Sequence, residues 1–261
     1  MGKVLVVANR KGGCGKSTTA ASLGVGLARH GKKVLIIDAD SQHSLTISLG
    51  IKEPDKITES LVTVMSKLIN DNEIDPTGGI INHSEGVDLM PANNSLAGME
   101  IILAPLIGRE TVLKQYIDSV RPLYDYCLID TAPTLDLLTV NALAAADSVI
   151  IPVTPKFLDA KGLELLLKSI AQIRRAINPK LDICGILLTM VDRRTIFTRD
   201  IISLVESAYG ENIRIFSEHI PHSVRAVEST AQGISIYKHD PNGKVASAYA
   251  ALTKEVLSDA A

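Results

Sequence analysis

Residues Arg10 to Thr19 read RKGGCGKSTT and stand between an apolar run, Val4 to Ala8, and a small-residue pattern with helical spacing, AASLGVGLA. Strand, glycine-rich loop and helix in that order form the setting in which a chain holds phosphate. Glycines let successive N–H groups turn toward one anion, and the helix that follows adds the positive end of its dipole. Lys16 then meets the β- and γ-phosphates of a nucleotide, and the Ser17 hydroxyl holds Mg2+. A glycine-rich turn with stray lysines is the alternative, and it leaves the flanking strand and helix without a purpose. The ordinary phosphate-loop spacing fails by one residue, because Arg10 occupies the place of its first glycine.

Apolar runs of strand length recur along the chain and end in polar residues: VLVVAN at Asn9, VLIIDAD at Asp38 and Asp40, YCLIDTAP at Asp130, SVIIPVTP at Thr154 and ICGILLTMVD at Asp192. Near-continuous apolar runs imply strands buried on both faces. Helical patterns fall between them, over 16–30, 109–119, 137–145, 160–177, 195–209 and 244–257. This alternation predicts an α/β fold, a doubly wound and mostly parallel sheet with helices on both faces, as one domain over residues 1–261. Ligands in such sheets bind beyond the carboxyl ends of the strands, which is where the polar residues lie. Gly31 and Gly210 read as helix C-terminal glycines. Residues 53–93 carry turn signals at Asp75-Pro76 and Thr77-Gly78-Gly79 and one short strand at Val87 to Met90, and read as a surface excursion.

Composition narrows the setting. The formal net charge is −2, so contact with nucleic acid has to come from a local patch. Cys14, Cys127 and Cys184 are three widely spaced residues without ligand spacing, which points to a reducing compartment, the cytoplasm, and away from disulfides or zinc. The six histidines form no metal-binding cluster. No stretch approaches a membrane span, and Val6 stands where a myristoylation signal needs Ser or Thr. Cys14, among helix-end N–H groups, is expected to have a lowered pKa and to be open to oxidation.

Lys11-Gly12-Gly13-Cys14-Gly15-Lys16-Ser17, with its second lysine inside the loop, resembles the deviant Walker A motif KGGxGK[ST] of the ParA/MinD ATPases. The resemblance covers nearly the whole chain: YDYCLIDTAPTLDLLTVNAL and IPHSVRAVESTAQGISI are similar to YDYIIIDTPPSLGLLTxNAL and IPRNVRLSEAPSHGKPI of the family. It implies a P-loop ATPase that hydrolyses ATP with Mg2+, using Gly12, Gly13, Cys14, Gly15, Lys16, Ser17 and Thr18 for the nucleotide. Asp130 then holds Mg2+ through water, with the capping of the following helix as its alternative role. Asp40 orients the attacking water and Asp38 supports the metal and lysine network, while turn and capping duties are the alternative for both. Ser41, His43 and Ser44 depart from the family's DxDPQGN in that loop. Lys11 crosses to the nucleotide of a second subunit, so the site is complete only in an ATP-bound homodimer. Pro221 and Ser223 face the adenine, where Ser223 and the neighbouring His222 depart from the family pattern.

Four destinations share this loop: DNA partition, membrane-bound MinD, the nitrogenase iron protein, and small-molecule ligases or anion pumps. The cysteines do not fit the iron protein. The final helical pattern, AYAALTKEVLSDAA, lacks a basic face and reads as core-packing rather than membrane-binding. Arg193, Arg194, Arg199 and Arg225 form a basic set, either a solvated face or a DNA patch; Arg194 and Arg225 stand where similar partition ATPases place DNA-binding arginines. No room precedes the loop for a helix-turn-helix, so DNA contact is expected without sequence preference. The resemblance thus implies a short ParA-type ATPase, cytoplasmic and nucleoid-associated, that binds nonspecific DNA and answers to a ParB-like partner in plasmid or chromosome partition. A MinD-like positioning ATPase acting on membrane or protein cargo is the alternative.

Overall fold

The structure is a computed structural model that describes residues 1–156, 159–192 and 194–259. In chain order the strands are β1 (Lys3–Val7), β2 (Val34–Ala39), β3 (Ile81–Asn82), β4 (Asp88–Met90), β5 (Tyr126–Thr131), β6 (Ser148–Val153) and β7 (Asp182–Leu188). They lie side by side as β3-β4-β2-β5-β1-β6-β7, parallel throughout except for the edge pair β3 and β4. The apolar runs dictate this arrangement, since β2, β5 and β6 are buried at every position and so need cover on both faces.

Helices supply that cover. They are α1 (Lys16–Arg29), α2 (Ser44–Ser48), α3 (Leu61–Ile69), α4 (Met99–Leu103), α5 (Val112–Val120), α6 (Leu137–Ala145), α7 (Asp159–Ala176), α8 (Ile196–Tyr209), α9 (Val224–Gln232), α10 (Ile236–His239) and α11 (Lys244–Ser258). Alternate residues of each strand feed two cores. Leu5, Val7, Ile36 and Leu128 pack against α1 and α11, while Val4, Val6, Leu35 and Ile129 pack against α3, α5, α6 and α7. Close approach of α1 to the sheet needs Gly24, where a Cβ would collide with the Ile36 side chain of β2. Tyr249 and Leu252 of α11 are fully buried, so the last helix packs into the core as its pattern implies.

Three expectations change. The segment 53–93 is no surface excursion: α3 buries Leu61, Val64 and Met65, Thr63 Oγ1 accepts the Ser60 N–H at 3.3 Å, and β3 with β4 extends the sheet. Its β-branched run, LVTVM, hides a helix that tertiary packing stabilises. Helix α5 begins at Val112 rather than Arg109, because Thr111 N bonds Gly108 O in a turn at 3.0 Å. Gly31 is left-handed at φ 74°, as a C-terminal glycine should be, whereas Gly210 closes α8 with a helical φ of −61°.

Register sets the site. Asp130 lies level with Val7 on one side and with Asp38 on the other, so the carboxyl ends of β1, β5 and β2 converge. The glycine loop springs from β1, beside the strand that carries Asp130.

Candidate nucleotide-binding site

Between β1 and α1 the loop turns through two left-handed glycines, Gly13 at φ 68° and Gly15 at φ 86°, a conformation that a side chain would strain. Three side chains pin it. Asn9 Nδ2 donates to Pro152 O at 2.5 Å while Asn9 Oδ1 accepts the Lys11 N–H at 3.1 Å, and Thr189 Oγ1 donates to Cys14 O at 2.8 Å. The third, Lys16, is buried and donates Nζ to Lys11 O at 3.1 Å. Helix α1 has neither a side-chain cap nor an acid in its first turn, so its N-terminal N–H groups point at the loop unopposed.

Cys14 is fully buried and its Sγ donates to Lys11 O at 3.3 Å. It serves the loop through its backbone, and the expected oxidation-prone thiol is corrected by that burial: solvent oxidants have no path to it.

Behind the loop stand the acids. Asp130 has no solvent exposure, and neither carboxylate oxygen has a hydrogen-bond partner. Burial, then the charge of Asp38, holds its carboxyl well above the usual range; Ser17 and Lys16 lie close enough to oppose that shift in part. Helix α6 is capped instead by Asp136, whose Oδ1 accepts Thr139 N at 2.8 Å, so capping is not the role of Asp130. A buried carboxylate without a donor, beside a hydroxyl, is a donor set of hard oxygens that fits Mg2+.

Asp38 is differently employed. Its Oδ1 accepts Asp40 N at 3.1 Å, and its Oδ2 accepts both Thr46 N at 2.8 Å and Thr46 Oγ1 at 2.7 Å. Burial outweighs these bonds and pushes its pKa up to about 6. Asp40 accepts Gln42 N at 2.9 Å and lines the cleft, so turn duties are present in both residues and only Asp40 adds a face to the site.

That cleft, about 380 Å3, gathers Gly12, Gly13, Gly15, Lys16, Ser17, Thr18 and Asp40. An apolar pocket of about 440 Å3 adjoins it and shares Gly15, Thr18, Met190 and Thr230 with it. Pro221 and Ser223 line the second pocket, together with Ile47, Ile220 and Tyr249. A charged cleft opening into an apolar slot matches the two ends of a nucleotide. Met190, two residues past the end of β7 at Leu188, and Thr230, within α9, are not singled out by the sequence as site residues.

The arginines lie elsewhere. Arg194 forms a bidentate pair with Asp192, both contacts at 2.8 Å, and Arg225 pairs with Glu228 at 3.0 Å. Arg199 is exposed on α8, and Arg193 falls outside the described residues. No helix among the described residues is long and apolar enough to cross a membrane.

A family model described as AAA domain matches residues 2–183. The sporulation initiation inhibitor protein Soj of Bacillus subtilis (strain 168) is 38% identical over 261 residues, covering 99% of this chain and 100% of that one. The chromosome partitioning protein ParA of Caulobacter vibrioides is 35% identical over 258 residues, 98% of this chain and 94% of that one. A crystal structure described as cobyrinic acid a,c-diamide synthase from Mycobacterium smegmatis, with bound ATP analog and magnesium, has a TM-score of 0.86 at 34% identity, over 98% of this chain and 94% of that one.

Proposed function

The chain belongs to the ParA/Soj family of partition ATPases, and from that premise we propose that it binds ATP with Mg2+, dimerises, coats DNA without sequence preference and lets go after hydrolysis. One observation carries the reading: Asp130 is a fully buried carboxylate with both oxygens unpartnered, beside Ser17 at the foot of a glycine loop. Such a group costs stability unless a ligand meets it.

Each side chain has a task in that reading. Lys16 exchanges the Lys11 carbonyl for the β- and γ-phosphates, where its charge is least screened. Ser17 and Asp130 would hold Mg2+, which when bound offsets negative charge on the transferring phosphoryl group. Asp40, on the cleft wall, orients the attacking water, while Pro221 and Ser223 flank the base. Lys11 reaches the nucleotide of a second subunit, so dimerisation completes the site. Arg193, Arg194, Arg199 and Arg225 supply the DNA contacts, and a ParB-like partner stimulates turnover on the nucleoid in the cytoplasm.

The Mycobacterium smegmatis neighbour is named for a synthase activity, yet it too holds an adenine nucleotide analogue and magnesium, which supports the nucleotide site rather than deciding the cargo. The Caulobacter vibrioides relative, aligned over 94% of its length, is named for chromosome partitioning, and the reading follows it. Light scattering and DNA co-sedimentation, each with ATP and with ADP, test it. ATP is expected to give a DNA-bound dimer, and Lys11→Ala a monomer under the same conditions. A protein that hydrolyses ATP but ignores DNA, and that sediments with liposomes instead, would move the assignment to the MinD-like alternative.

A further inference from the structure

Residues 92–103 follow β4 and end in α4, and they line neither the phosphate cleft nor the apolar pocket. They nevertheless touch the helices that follow both acid-bearing strands, α2 after β2 and α6 after β5. At one end Ala92, fully buried, donates its N–H to Thr46 Oγ1 at 3.0 Å. The same Thr46 hydroxyl donates to Asp38 Oδ2 at 2.7 Å. Toward the other end Glu100 Oε1 accepts the N–H of Leu137 at 3.0 Å. Leu137 opens α6, the helix entered from Asp130 through Pro133. Between these anchors Leu96 and Met99 have no solvent exposure, and neither has Leu103 just beyond them, so the segment is fixed to the core.

We propose that residues 92–103 form a strap coupling α2, which follows β2, to the start of α6, which follows β5, with Thr46 and Glu100 as its positioning residues. The proposal rests on the ATP-hydrolysis reading given above. Thr46 has no solvent exposure and its hydroxyl both donates and accepts, so neither bond can be exchanged for one to water. Movement of Asp38 therefore pulls on Ala92. Closely packed apolar side chains transmit such a pull rather than absorb it, and Leu96 and Met99 carry it to Glu100 and the start of α6. Asp40, in the turn between β2 and α2, and the loop that leaves Asp130 for α6 are thereby held in one mutual geometry. Neither Thr46 nor Glu100 touches the cleft, so their effect falls on turnover rather than on capture of nucleotide.

Steady-state ATP turnover and amide hydrogen exchange, run on the full chain, test the strap. Thr46→Val is expected to lower kcat about tenfold, the scale of a broken buried hydrogen bond, with KM for ATP within about twofold of wild type. Thr46→Ser keeps the hydroxyl and is expected to restore kcat. Glu100→Ala, at a partly exposed site that folding tolerates, is expected to lower kcat in the same direction, and Glu100→Gln to keep most of it. The double variant Thr46→Val, Glu100→Ala should fall no more than about twofold below the weaker single, since either break already releases the strap. Losses that multiply would make the two anchors independent and overturn the proposal. In parallel, ATP is expected to slow exchange across residues 92–103 in wild type and to do so less in Glu100→Ala. Wild-type exchange that ignores ATP also overturns the strap. Absent turnover with the exchange response intact would instead remove the hydrolysis reading and leave the strap standing.

Discussion

Lys16 donates its buried ammonium to the main-chain carbonyl of Lys11, 3.1 Å away, so the glycine loop is closed on itself by the charge for which a phosphate competes. A neutral carbonyl is the weaker acceptor of the two, because bonds between ionised partners are shorter and stronger. The loop geometry is thus assembled by its own lysine, and the left-handed Gly13 and Gly15 do not depend on a ligand for their conformation.

Lys16→Ala should therefore weaken ATP by about 10- to 100-fold or more, given roughly 1.5–3 kcal/mol for a charged hydrogen bond. Isothermal calorimetry reads this directly. Affinity equal to wild type would take Lys16 out of the site.

Asp40 is the acid that lines the cleft, and Asp38 is already committed to Thr46 and the Asp40 N–H. Asp40→Ala should keep ATP affinity within about threefold and lose turnover by about 100-fold, the range for a positioned acid or base. ATP-bound dimer then accumulates in light scattering. Normal hydrolysis in this variant would assign the water to another residue.

The buried acids also make a pH prediction. Burial pushes Asp38 up to about 6 from an ordinary 3.8, and burial followed by the Asp38 charge raises Asp130 well above the same starting value. The folded chain therefore holds these protons more tightly than the unfolded one. Their contribution to stability is fully present below about pH 4 and is lost as pH rises through about 6 and beyond. With EDTA and no nucleotide, urea melts should weaken across that window. Asp130→Asn removes the unpartnered charge and should stabilise the protein at pH 7 by about 1–3 kcal/mol, while reducing Mg2+-dependent turnover. A variant less stable than wild type at pH 7 would mean that Asp130 is satisfied in the free protein.

Contiguity explains what the sequence made legible. Residues 10–19 carry their own geometry, because the glycines that set the turn and the lysine that meets the phosphate are neighbours in the chain. Asp38 and Asp130 were legible for a second reason: apolar runs fix strand ends, and parallel register brings those ends level. The apolar pocket had no such signal. Met190 arrives from the segment after β7 and Thr230 from α9, and the φ of 54° at Met190, between the two cavities, leaves no mark on residue type. Thr46 was hidden likewise, as one threonine in a short polar stretch whose only distinction is what lies across from it. Helix α3 was lost because LVTVM has strand propensity, and the burial of Leu61 and Met65 that decides its state is tertiary.

The last prediction concerns the arginines, whose charges are not idle in the structure. Arg194 is paired with Asp192 and Arg225 with Glu228, both in exposed positions. Exposed pairs contribute about 0–1 kcal/mol, so a DNA phosphate can displace either carboxylate at little cost. Each released arginine adds roughly 0.9 to the salt slope per contacted phosphate, and a dimer carries two copies. Arg194→Ala or Arg225→Ala should thus flatten the slope by about 1.8 in the ATP-bound dimer and weaken binding equally across sequences, with dimerisation intact. Asp192→Asn should act oppositely and strengthen DNA binding, but only while Arg194 is present; in an Arg194→Ala background the gain should vanish. Filter binding over a salt series reads all four variants. A gain from Asp192→Asn that persists without Arg194 would reduce Asp192 to a source of general repulsion, and unchanged slopes in both arginine variants would place the DNA surface on another face of the molecule.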